Sequence, residues 1–274
     1  MLASLVGDPA RGNRNACAHA AVALAAALGA WPALGAACSA LASDADEHKQ
    51  RCGALLLRRL SEHALESRGG ASVAGCLELS EALEIAQRLA QHTVASVDGV
   101  IAACALGSVL GRCLVAEGGA AFGTLVATTT AWLVPHCLTV CGACLHGDGR
   151  DIRDILGALS GLVASAFPLM APHTPAAVDA LTSVLRCAGL AAEMRCAAAE
   201  CVACLAEAAA AALGPSAAAP LFSAAGESLV GLLALVDGDE DFTDDTCVCL
   251  GRLRGRKVCS QANRFSCATP CVVS

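Results

Sequence analysis

Tyrosine is absent from the 274 residues, and two Trp and five Phe bring the aromatics to only 3%. Few flat side chains remain on which unpaired bases could stack, so a surface for single-stranded nucleic acid is poorly served. Charge is scarce too: Asp, Glu, Lys and Arg together make 16%, with a formal net charge of -7. A duplex-binding face needs clustered Lys and Arg to neutralise phosphate, and this balance argues against one. Period-two alternation is missing over any useful length, so no sheet is expected. GxSxG, P-loop and GxGxxG patterns are missing as well, and the seven His are dispersed. Ser61 and His63 beside Glu62 read as an exposed helix end, because such triplets occur readily without triad geometry. Binding rather than catalysis is therefore the expected mode of action, and no cofactor is called for.

What is present is apolar and small. Hydrophobic residues make 56% of the chain and mean hydropathy is +0.60. An Ala-rich chain poor in β-branched residues favours helix. The 18 Cys are scattered through apolar stretches of a chain too long for a disulfide-stapled miniature, so they read as reduced small hydrophobes. Cys141/Cys144 and Cys201/Cys204 have metal-like spacing, with His136 and His146 near the first pair. Both pairs fall within expected helices rather than on the turns that zinc knuckles use, and no metal site is expected.

Runs free of Asp, Glu, Lys and Arg at 15–43, 118–147, 155–178 and 208–226 each reach bilayer-spanning length. They consist largely of Ala, Gly, Ser, Thr and Cys. They also carry Pro32, Pro135, Pro168, Pro172, Pro175, Pro215 and Pro220 at expected helix ends, and an interfacial aromatic belt is lacking. A multi-pass membrane protein is thus the alternative rather than the leading reading. Arg11 and Arg14 before an apolar stretch imitate a secretory signal poorly, because Asp8 lies in the basic region and the apolar part is too long.

Helical spacing is clear in several places. Over 45–64 Cys52, Leu56 and Leu60 form a stripe, over 73–91 Leu79, Leu83, Ala86 and Ala90 do, and over 175–188 Val178, Leu181, Leu185 and Ala188 do. Gly7-Asp8-Pro9, Ser43-Asp44, 67–70, 147–149 and Gly214-Pro215-Ser216 supply turn chemistry between them. Arg14, Arg51, Arg153 and Arg195 each open a helix after a polar turn, at intervals suiting helix pairs of roughly 40 residues with one longer unit between Arg51 and Arg153. The expected fold is all-α: an α-solenoid of about five HEAT/armadillo-like helix pairs over 1–245, forming a right-handed superhelical arc. A pair cannot bury its apolar face alone, so stacking accounts for nearly uncharged interior helices without a bilayer. Arg51 is expected to bridge to Asp44 or Asp46, and Arg195 to Glu193 or an adjacent repeat.

Three segments resemble the importin-β (karyopherin-β) family of nuclear transport receptors, nearest its beta-3 branch. WPALGAACSALASDADEHKQRCGALLL, from Trp31 to Leu57, is similar to a unit of Trp-Pro, outer helix, acidic turn and inner helix. PLMAPHTPAAVDALTSVLRCAGLAAEMRCAAAECVACLAEAAAAAL, from Pro168 to Leu213, resembles a following repeat, and SLVGLLALVDGDEDFTDD, from Ser228 to Asp245, a helix leading into an acidic tract. The resemblance implies a receptor carrying basic protein cargo between cytoplasm and nucleus, with nucleoporins as further partners, under control of the small GTPase Ran. The opening repeats that engage Ran in that family have no counterpart in this sequence, which puts Ran binding in doubt, and a solenoid scaffold unrelated to transport is a further alternative.

Two acidic groups are the candidate cargo sites. Asp237, Asp239, Glu240, Asp241, Asp244 and Asp245 form the densest charge cluster; mutual repulsion and Gly238 should end the preceding helix near Val236. Glu193, Glu200 and Glu207 recur at heptad spacing on one helix. The tail 246–274 is basic through Arg252, Arg254, Arg256, Lys257 and Arg264 and rich in Cys, with Cys247, Cys249, Cys259, Cys267 and Cys271. It holds too few apolar residues to offset its ordering entropy and is expected to be disordered, with a small metal-binding element as the alternative.

Overall fold

A computed structural model describes residues 2–29, 31–67, 72–73, 75–91, 97–117, 122–145 and 150–236. The acidic cluster at 237–245 and the tail at 246–274 lie outside the described residues.

Helix dominates throughout. The elements are α1 (Leu2–Gly7), α2 (Arg11–Leu28), α3 (Pro32–Ala42), α4 (Glu47–Glu66), β1 (Ser72–Val73), β2 (Leu77–Glu78), α5 (Leu79–Gln91), α6 (Val97–Glu117), α7 (Gly123–Cys144), α8 (Arg150–Met170), α9 (Thr174–Arg186), α10 (Ala192–Leu213), α11 (Pro215–Ala218) and α12 (Ser223–Val236). The starts follow local chemistry. Asp46 caps α4 by accepting the His48 N–H at 2.8 Å, and a proline lies in the first two positions of α3, α9 and α11, where its missing N–H costs nothing.

Each odd helix from α1 to α9 packs against the even helix that follows it. The even helices also pack on one another in chain order: α2 on α4, α4 on α6, α6 on α8, α8 on α10. Among the odd helices α3 meets α5, α5 meets α7, α7 meets α9, and α9 meets α12. One continuous apolar core runs through these contacts from Leu5 to Ala225. The long interval between Arg51 and Arg153 is filled by a short hairpin, α5, α6 and α7.

That hairpin corrects the expectation of helix from residue 73 and of no sheet. Ser72 pairs with Glu78 and Val73 with Leu77, antiparallel. Val73 and Leu77 are buried, and Gly75 turns the chain with φ 66, where a side chain would be strained. The turn sits directly on α3: a Cβ on Gly35 would lie 2.2 Å from the Cys76 carbonyl oxygen. Leu79, Leu83, Ala86 and Ala90 keep helical spacing, but ahead of them burying Val73 against α4 and α5 stabilises the extended form.

Two prolines also depart from expectation. Pro135 lies inside α7 and Pro168 inside α8 rather than at their ends. The Pro168 ring cannot fit an unbroken helix, and α8 breaks at Ala166, whose φ of -143 and ψ of 44 are non-helical. Burial against neighbouring helices holds both pieces in place, since Ala166 and Leu169 are almost wholly inaccessible.

Candidate functional site

Polar contacts from α4 reach α2, α6 and α8, and one from α8 reaches α10. From α4, Arg59 donates to the Asn15 side chain of α2 at 2.6 and 2.9 Å. Arg58, also on α4, donates to Asp98 at the start of α6 at 2.8 Å and to Glu62 of its own helix at 2.9 Å. Its guanidinium also comes within 3.9 Å of Asp154 on α8. Arg153 on α8 reaches Glu193 on α10 at 3.8 Å. Arg58 and Asp98 are the enclosed members, with side chains 18% and 16% exposed, where screening by water is reduced. Sequence reasoning missed this series because its partners lie some 40 residues apart.

The expected bridges of Arg51 and Arg195 are corrected. Arg51 pairs with Glu47 one turn back on its own helix, the closest carboxylate on a helical surface. Asp44 instead takes Lys49 at 2.8 Å, and that hydrogen bond holds its carboxyl below the usual range. Glu193 is met by Arg153, while the Arg195 Nε is buried without a hydrogen-bond partner among the described residues. Arg112 was not singled out by sequence: from α6 it donates to the Leu65 and Ala64 carbonyls at 2.6 and 2.8 Å, closing the C-terminal end of α4 where carbonyls lack helical partners.

Of the acidic candidates, Glu193 and Glu207 are exposed and Glu200 is half-buried on α10. Met194, Ala198, Cys201, Val202 and Leu205 form the buried side of that helix, so the three carboxylates line its outward face. Asp237, Asp239, Glu240, Asp241, Asp244 and Asp245 lie outside the described residues, and nothing places them beside the α10 stripe.

The Ser61 triplet is not an exposed helix end. Ser61 is fully buried and donates to the Leu57 carbonyl at 2.7 Å. The described cysteines are free thiols, most of them buried. Burial pushes the Cys38 and Cys201 thiols up to about 12 and Cys141 up to about 11. Cys104 and Cys137 approach to 3.5 Å between sulfurs, which with burial raises the Cys104 thiol well above its usual range. The Cys141/Cys144 pair lies in α7 and Cys201/Cys204 in α10; burial lowers the His136 pKa. Among the described residues no group of three His, Cys, Asp or Glu side chains is placed to hold a metal ion.

A groove of about 450 Å³ opens between α5 and α7, unforeseen from sequence. Leu79, Leu83 and Thr129 form its buried floor, and Phe122, Leu125 and Trp132 its half-buried wall. Glu78 and Glu84 stand exposed at its edge, and among the described residues no Lys or Arg lines it. No protein-family model, curated protein or solved structure matches the chain.

Proposed function

We propose that this chain is a protein-binding α-solenoid, with the pairs α1–α2 to α9–α10 stacked as HEAT-like units in a right-handed arc. Its outward acidic face takes basic protein segments, and it acts by binding rather than catalysis. The observation that carries this reading is the chain-order packing of the even helices, each on the next, as expected where every pair buries its apolar face on a neighbour. The basic residues agree with it: Arg14, Arg51, Arg153 and Arg195 fall within the first five residues of α2, α4, α8 and α10. At the start of α6 Asp98 takes that place, and Arg58 reaches across to it. The three segments resembling importin-β receptors extend the proposal to nuclear import of basic cargo, with the chain working in cytoplasm and nucleus. Nucleoporins are proposed as partners on that resemblance alone.

A membrane-spanning reading draws on four helical stretches long and apolar enough to cross a bilayer: Val97–Ala116, Gly123–Cys144, Asp151–Arg186 and Ala192–Leu213. Their outward faces argue against it. Lipid would meet Thr124, Ala127, Thr128, Ala131 and Thr139 on α7, Arg153 and Asp154 on α8, and Glu193 and Glu207 on α10. Of the large apolar side chains left exposed, only Val115 and Leu213 belong to these stretches, and both sit at helix ends. Exposed charges facing hydrocarbon are costly.

The binding test uses a Lys/Arg-rich peptide titrated against the full chain, a variant with Glu193, Glu200 and Glu207 changed to Gln, and a variant with the six acids at 237–245 neutralised. Each variant should bind more weakly at low salt, the differences shrinking as salt screens the charges. Equal affinity for all three proteins at both salt concentrations would rule out these acids as the cargo face.

A further inference from the structure

We propose that the groove between α5 and α7 is a docking site for the chain's own basic segment around Leu250–Lys257. The proposal rests on the groove itself and stands whether or not the helix pairs form a solenoid.

Charge complementarity selects this occupant. All 25 acidic residues lie in 1–245, against 13 basic ones, whereas 246–274 holds five basic residues and no acid. The groove repeats that contrast locally: Glu78 and Glu84 flank it, and the next cation along α5, Arg88, is turned away to the Ser43 and Ser39 hydroxyls of α3. The segment LGRLRGRK sets Leu250 and Leu253 among Arg252, Arg254, Arg256 and Lys257. Two apolar anchors fit a floor of Leu79 and Leu83 beside Phe122 and Trp132, while the flanking cations meet the carboxylates at the edge. Apolar anchoring inside a charged rim is how peptide grooves combine affinity with register.

Reach is sufficient. α12 packs on α9, α9 on α7, and α7 forms the groove wall, so the end of α12 stands a few helix spacings of about 8–10 Å away. The 13 residues 237–249 span up to roughly 45 Å when extended. Tethering gives the segment a high effective concentration at the groove. An external basic segment must therefore displace it.

Lys257 and Lys49 are the only lysines in the chain, and Lys49 is engaged by Asp44, so zero-length carbodiimide cross-linking of the full protein reads the position of the tail directly. Mass spectrometry should find Lys257 joined to Glu78 or Glu84 within one chain. Changing Arg252, Arg254 and Arg256 to Ser should cut that product at least about tenfold, as expected when a tethered site loses its charge partners. In the Trp31→Phe background, Trp132 is the sole tryptophan, and the same tail changes should shift its emission to longer wavelength as the groove opens to water. Products joining Lys257 only to acids at 237–245, or only between isotopically distinct chains in a mixture, would overturn the proposal. Trp132 emission unmoved by the tail changes would overturn it too.

Discussion

At the scale of single residues, Arg58 and Arg51 carry the same charge on the same helix in different surroundings. Arg58 is largely enclosed and donates to both Glu62 and Asp98, whereas the Arg51 side chain is 60% exposed and pairs only with Glu47. Arg58→Ala removes two charge-assisted hydrogen bonds from a partly dry site and should lower unfolding free energy by about 1–3 kcal/mol in urea titration. Arg51→Ala should cost no more than about 0.5 kcal/mol. Equal losses would mean the inter-helix contacts add nothing to the local ones. The buried thiols predict a pH response. Their folded pKa values lie above the ordinary 9.0, at about 12 for Cys38 and Cys201 and about 11 for Cys141. The folded state therefore holds protons that the unfolded chain gives up. Their contribution is fully present below about pH 9 and is lost as pH rises from there toward 11–12, by about 1.4 kcal/mol per pH unit for each thiol. Melting temperature should be flat from pH 7 to 8.5 and fall steeply above 9, and replacing Cys38 and Cys201 by Ala should soften that fall.

Single elements show which physical signals the sequence carries in readable form. The helices α4 and α9 were legible because stripes such as Leu56/Leu60 and Val178/Leu181/Leu185 recur at helical spacing between turns built from Ser, Asp, Gly and Pro. The hairpin was not, because the stripe Leu79/Leu83/Ala86/Ala90 extends a helical reading back toward Val73, while the contacts that hold the hairpin, Val73 against α4 and α5 and Cys76 against Gly35 of α3, come from distant parts of the chain. Gly35 records that contact. Gly35→Ala would place a methyl 2.2 Å from the Cys76 carbonyl oxygen and must push the turn off α3. It should destabilise the protein by about 1–3 kcal/mol, and faster amide exchange should concentrate at Val73 and Cys76. A stable protein with unchanged exchange there would show that the hairpin does not rest on α3. The acidic stripe on α10 was legible from its heptad spacing alone, because Glu193, Glu200 and Glu207 need only helix geometry to share a face. The groove between α5 and α7 required tertiary structure, since its lining comes from two separate helices.

For the whole molecule, hydropathy and geometry lead to different environments. Average composition favours a bilayer, with four stretches of spanning length, yet the large side chains of those stretches face other helices. Outward positions are left mostly to Ala, Thr, Gly, Pro and charged residues, with Val115 and Leu213 exposed near helix ends. Helix pairs that bury one another's apolar faces produce this distribution without lipid. The account requires the full chain to be a water-soluble helical protein, and fractionation of cells expressing it is the most direct measurement. The account predicts recovery in the aqueous fraction without detergent, with a helical circular dichroism spectrum; recovery solely in detergent extracts of membranes would contradict it.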